Sequence, residues 1–141
     1  MLKSIPMTLA GVVLLITDMF AQGFPNIRVH PNPAMQQFEV AIITHPSNPN
    51  IVLAAAVTQD TSALMEGTMG WYYTTDGGVT WSGRDTMSTH TNLNHWMDDP
   101  TVAIDESGNL FIGGIYNDNH IFVDRSTDGG ATWNHTAAYS N

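Results

Sequence analysis

The chain has 141 residues, room for one modest domain. Four Lys and Arg against 13 Asp and Glu give a net charge of −9, which repels phosphate backbones and excludes a nucleic-acid partner. Charged residues are only 12% of the chain, too few for a disordered acidic tail, and the absence of Cys excludes disulfides, thiolate metal sites and a cysteine nucleophile.

Residues 1–21 read as a signal peptide. Lys3 supplies the positive start, an apolar run over 5–16 follows, and Ala21 precedes Gln22 at a cleavage-type junction. That run is shorter than the roughly 20 residues a membrane span needs, so a cleaved leader is favoured over an uncleaved anchor. The mature protein is then secreted or periplasmic, with no membrane span after signal removal. Without disulfides, packing alone must stabilise it. Residues 22–37, with Pro25, Pro31 and Pro33, read as an extended lead-in.

Two similar units follow, 38–97 with a linking loop and 98–141. In the first, Phe38-Glu39-Val40-Ala41-Ile42-Ile43 is a strand, residues 45–50 are a turn, and residues 51–57 are a buried strand. A third strand, Gly70-Trp71-Tyr72-Tyr73, runs into Thr74-Thr75-Asp76-Gly77-Gly78-Val79-Thr80-Trp81. The second unit repeats the order: Thr101-Val102-Ala103-Ile104, a turn over 105–109, a strand over 110–116, and His120-Ile121-Phe122-Val123. It then reaches Ser126-Thr127-Asp128-Gly129-Gly130-Ala131-Thr132-Trp133, 52 residues after its counterpart at Thr74. Asp-Gly-Gly between β-rich runs is a hairpin signal. No helical period of useful length follows residue 21. The expected fold is all-β, with two four-stranded antiparallel units.

Each octapeptide has the chemistry of a self-closing turn. The carboxylate of Asp76 or Asp128 can accept N–H groups of the turn that follows, and Thr74 or Ser126 can close the other side. Gly78 and Gly130 supply the backbone freedom, Thr80 and Thr132 complete the turn, and Trp81 and Trp133 bury a large ring. A calcium reading of Asp124-x-Ser126-x-Asp128-Gly129 fails on His135, which stands where an EF-hand loop needs a bidentate Glu. No metal and no cofactor are expected.

The loop between the units carries His90, His95, Asp98 and Asp99. Metal binding there competes with plain turn capping before Pro100. Trp71, Tyr72 and Tyr73 are expected to fill the space between units, and Trp96, in the loop, is the candidate for stacking on a sugar. His30, His45, His120 and His135 carry no partner signal and are expected at the surface.

The two octapeptides resemble the Asp box, or bacterial neuraminidase repeat, of sialidase-like β-propellers. Asp99-Pro100-Thr101-Val102-Ala103-Ile104-Asp105 with Gly108-Asn109-Leu110-Phe111-Ile112 is similar to a blade opening in bacterial sialidases. The resemblance covers residues 25–135. It implies a partial propeller of about two blades, each with an Asp-box hairpin between its third and fourth strands, and a secreted protein of the exo-α-sialidase family acting on glycans or glycoconjugates. Family members clamp the sugar carboxylate with three arginines and use a Tyr nucleophile, paired with a Glu, and an Asp acid/base. Carried over residue by residue, the resemblance makes Asp60 the acid/base match, with Glu39 and Asp99 as further carboxylates of the mouth. Arg28 is a substrate-binding candidate, while Arg84 and Arg125 fall near the outer rim. Glu39 occupies the place of the first arginine, where it would repel a sialic acid. The Tyr–Glu pair belongs to later blades, so this chain lacks a complete catalytic set. It is expected to be an N-terminal fragment, joined by further blades of a longer chain or by self-association. A non-catalytic propeller binding a glycan or protein partner is the alternative.

Overall fold

The computed structural model describes residues 26–29, 31–60, 67–90, 96–116 and 120–139. Residues 1–25, where the signal-peptide reading falls, together with His30, His95 and the side chain of His90, lie outside that description. Eight strands follow in order: β1 (Met35–His45), β2 (Asn48–Asp60), β3 (Thr68–Thr74), β4 (Ser82–Arg84), β5 (Met97–Ile104), β6 (Leu110–Tyr116), β7 (His120–Ser126) and β8 (Asn134–Tyr139). They form two four-stranded antiparallel sheets, β1-β2-β3-β4 (sheet 1) and β5-β6-β7-β8 (sheet 2). Among the described residues no helix is long and apolar enough to cross a membrane.

The strands follow from local chemistry. β7 alternates, with Phe122, Asp124 and Ser126 buried and Ile121, Val123 and Arg125 exposed, so one face packs and the other meets solvent. β2 is buried continuously from Leu53 to Thr58, because both of its faces are covered. The β1–β2 hairpin turns at Pro46-Ser47, where His45 Nδ1 accepts the Ser47 N–H at 3.2 Å. His45 is therefore only 9% exposed, where the sequence had suggested a surface residue. The β5–β6 turn is closed by Asp105, whose carboxylate accepts the Ser107 and Asn109 N–H groups, both at 2.9 Å, beside Gly108 at φ +80°. The first unit opens at Met35 and the second at Met97, slightly ahead of the sequence boundaries, because the Met97 N–H donates to Gly67 O at 3.0 Å.

The two sheets share one core. Leu53, Ala55, Met69 and Trp71 of sheet 1 meet Ile104, Leu110, Ile112 and Phe122 of sheet 2, with Met87 and Met97 closing the seam. Trp133 packs edge-on against Trp71, ring centroids 5.5 Å apart and planes at 61°. Gly130 lies beneath the Trp71 ring so closely that a Cβ there would come within 2.4 Å of it. The ladders β2–β3 and β6–β7 are matched, Trp71 pairing with Ala55 as Val123 pairs with Gly113. Their connections differ in length: Val57 pairs with Met69 across eleven intervening residues, Ile115 with Ile121 across five.

Gly78 and Gly130 share φ +90°, but a Cβ on Gly78 would approach nothing closer than 3.6 Å, against 2.4 Å at Gly130. Gly78→Ala should therefore lose only the left-handed strain, about 1 kcal/mol. Gly130→Ala should lose that plus an overpacked ring, about 2–4 kcal/mol in all. Urea unfolding of the two variants measures the difference, and equal losses would refute a tight seam at Gly130.

Candidate functional site

The two octapeptides form the same turn. Between β3 and β4, Asp76 Oδ1 accepts the Thr80 N–H at 2.9 Å and the Thr74 hydroxyl at 2.7 Å, while Oδ2 accepts the Thr80 hydroxyl at 2.6 Å. Thr74 Oγ in turn accepts the Gly78 N–H at 3.1 Å. Between β7 and β8 the pattern recurs. Asp128 takes the Thr132 N–H at 2.9 Å, the Thr132 hydroxyl at 2.6 Å and the Ser126 hydroxyl at 2.8 Å, and Ser126 takes the Gly130 N–H at 2.8 Å. These donors engage both oxygens of each carboxylate and hold each turn closed. The tryptophans diverge. Trp81 Nε1 donates to Gly78 O at 3.1 Å and its ring is half-buried on the outer face of sheet 1. Trp133 is 8% exposed, and its buried Nε1 makes no hydrogen bond, the ring having turned to Trp71 instead.

A second repeated feature was not visible in the octapeptides. β1 bulges at Glu39-Val40, between the pairs Phe38–Val57 and Ala41–Ala55. β5 bulges at Asp99-Pro100, between Asp98–Ile115 and Thr101–Gly113. Each bulge opens on a non-glycine residue in the left-handed region, Glu39 at φ 53° and Asp99 at φ 50°. The Asp99 N–H donates to Glu39 Oε2 at 3.1 Å, so the first strands of the two sheets are joined there by a carboxylate. Asp98 and Asp99 thus lie inside β5 and not in a connecting loop. Two of the three candidate carboxylates, Glu39 and Asp99, are brought together on the exposed side of this seam.

The other candidates lie further out. Asp60 ends β2 opposite Met35, three residues beyond the Phe38–Val57 pair and so about 10 Å along the strand. Trp96 is 36% exposed immediately before Met97, at the same end of the sheets. Arg28 is exposed beside Val29, which rests on Ala54, Ala56, Tyr72 and Trp81, the outer face of sheet 1. The clefts are shallow: a hollow of about 340 Å³ lies between the two turns, lined by Tyr73, Trp81 and Asp128 among others.

Two polar clusters escaped sequence reasoning. Asp124 is fully buried on the packed face of sheet 2. It accepts the Thr89 hydroxyl at 2.5 Å and meets His135 Nδ1 at 2.7 Å, tying the connection after β4 to β8. His135 is thus partnered, and Asp124 bonds Thr89 and His135 while Asp128 closes its own turn. Asp85 takes the Tyr72 hydroxyl at 2.8 Å and the Asn32 N–H at 3.1 Å, and its carbonyl accepts the Thr58 hydroxyl. Burial, with Asp85 alongside, pushes the Tyr72 phenol well above its ordinary range. Among the described residues no group of three His, Cys, Asp or Glu is placed to hold a metal ion.

Hydrogen bonds from the Thr80 hydroxyl, the Thr80 N–H and the Thr74 hydroxyl pull Asp76 down from 3.8 to about 2, and the Thr132 and Ser126 donors do the same to Asp128. A depressed folded value stabilises the protein above 3.8 and loses that contribution as pH falls towards 2. The thermal midpoint should therefore fall steeply across that window. Asp76→Asn and Asp128→Asn should each start lower at neutral pH and flatten part of the fall. A wild-type midpoint unchanged down to pH 2 would refute the carboxylate closure.

No protein-family model matches this chain, and no curated protein matches it.

Proposed function

We propose that this chain is a secreted, sialidase-like Asp-box propeller portion that acts on glycans, its two sheets being successive blades of an incomplete ring. The supporting observation is the Asp76 turn and its copy at Asp128, each closing the third and fourth strands of a four-stranded antiparallel sheet. In a propeller the first strand of each blade lies nearest the axis, so the Glu39–Asp99 seam between β1 and β5 falls at the mouth. Asp60 and Trp96 sit at the same end of the sheets, Asp60 as acid/base and Trp96 as a stacking surface for a sugar ring.

Glu39 favours a second reading, a non-catalytic propeller portion that binds a glycan. In sialidases an arginine pairs with the substrate carboxylate at that place. Here an anion stands there, anchored to the backbone of a second acidic residue. Two carboxylates at the mouth repel an acidic sugar and leave neutral sugars free to stack and hydrogen-bond.

A fluorogenic sialoside should not be turned over by this chain, because the resemblance puts the Tyr–Glu nucleophile in blades other than these two. Neutral oligosaccharides should bind more tightly than their sialylated forms, and Trp96→Ala should weaken binding about tenfold, the loss of one stacking contact. Tryptophan fluorescence titration measures both. Steady turnover of the sialoside would overturn the missing-nucleophile assignment, and absence of binding to any oligosaccharide would overturn the glycan reading.

A further inference from the structure

The hollow between the two turns is built by both units, at the end of the sheets opposite Asp60. Its volume is about 340 Å³, and Tyr73, Thr75, Thr80, Ser82, Asp128 and Gly129 contribute to its lining. The half-buried Tyr73 ring bridges the units: a Cβ on Gly129 of the second turn would lie 3.5 Å from it. Among the described residues no Lys, Arg or His lines the hollow.

The protons of this lining are already committed. The Thr80 hydroxyl donates to Asp76 Oδ2 at 2.6 Å and the Ser82 hydroxyl to Tyr73 O at 3.1 Å, so each offers the hollow only lone pairs. Asp128 Oδ1 accepts both the Thr132 N–H and the Ser126 hydroxyl, whereas Oδ2 accepts the Thr132 hydroxyl and keeps room for a further donor. Asp76 has no such room, because its Oδ2 takes the Thr80 N–H at 3.1 Å as well as the hydroxyl. Drawn down to about 2 by its turn, Asp128 stays ionised at neutral pH. The hollow therefore presents acceptors, a fixed negative charge and an aromatic ring. A cation that only donates hydrogen bonds and stacks on a ring complements all three. An anion is repelled there, and a neutral sugar leaves the charge unanswered.

We propose that this hollow binds the guanidinium of an arginine side chain presented by a partner polypeptide. Its planar fork of donors is matched by Asp128 Oδ2 and the Thr80 and Ser82 hydroxyl oxygens, and its plane by the Tyr73 ring. A lysine ammonium, a compact and strongly hydrated point charge, satisfies the acceptors but not the ring. The apolar stem of the arginine has Tyr73 and Trp81 in the lining to lie against. A chain of net charge −9 draws a basic partner towards it. This inference stands on the two turns alone and is independent of glycan binding at the other end of the sheets.

Titration of the isotope-labelled chain with N-acetyl-arginine amide, followed by backbone amide chemical shifts, tests it. At about 0.05 M salt the shifts should saturate in the millimolar range and centre on Tyr73, Thr75, Ser82 and Gly129. N-acetyl-citrulline amide, close in shape but uncharged, should leave them unmoved. Methylguanidinium, which has the head without the stem, should bind more weakly. Thr75→Lys places a cation in the hollow and should abolish binding. Val79→Lys makes the same charge change in the same turn, at a residue 66% exposed and outside the lining, and should keep the affinity within about twofold. Asp128→Asn should weaken binding about fivefold, the loss of one exposed charge contact. The amide spectrum of each variant also shows that it folds. Shifts that do not saturate, shifts centred on Glu39 and Asp99, citrulline or methylguanidinium binding as well as arginine, or an equal effect of Thr75→Lys and Val79→Lys overturns the proposal.

Discussion

Trp71 holds the two halves of this protein together. Its ring lies against Gly130 on one side and meets Trp133 edge-on, so the turn of the second unit is packed on a strand of the first. Around it Leu53, Met69, Ile112 and Phe122 build a core that belongs to neither sheet alone. A four-stranded sheet with one face exposed would leave these residues in water, and the chain has no Cys with which to form a disulfide that would compensate. Trp133 gives up the indole hydrogen bond that Trp81 keeps, and the ring contact with Trp71 offsets that loss.

The most local features were the most readable. Thr74-x-Asp76-x-Gly78-x-Thr80 closes on itself within seven residues, so its hydrogen bonds follow from the order of side chains alone, and the copy at Ser126 confirms the pattern internally. Alternation in β7 and the apolar run of β2 placed those strands for the same reason. The bulge at Asp99 left a trace in Pro100, a residue that strand interiors avoid, but Glu39 has no such neighbour. Nothing in sequence announces that Asp99 N–H meets a carboxylate sixty residues away. His135 and His45 looked like surface residues because their partners, Asp124 across the ladder and the backbone of Ser47 in a tight turn, are chosen by the folded geometry.

Polar chemistry divides by position. Asp76 and Asp128 spend their oxygens on their own turns, and Asp124 and Asp85 on connections between elements. Glu39 and Asp99 differ: they are exposed, set at matched irregularities of the leading strands, and linked by the Asp99 N–H to Glu39 hydrogen bond. Bulges commonly re-aim side chains beside binding sites, and both of these open on an acidic residue. The seam between the leading strands is thus the place where acidic side chains face solvent together.

The unequal ladders have a further consequence. Between the second and third strands the first unit spans eleven residues where the second spans five, yet Trp71 and Val123 still occupy matched register positions. Six residues have thus been gained or lost without disturbing the pairing on either side. The opposite end tolerates no such freedom between third and fourth strands, because a carboxylate must reach the hydroxyl and N–H of a residue four places on. The architecture therefore separates an end whose connection differs in length between the two units from an end whose turn is the same in both.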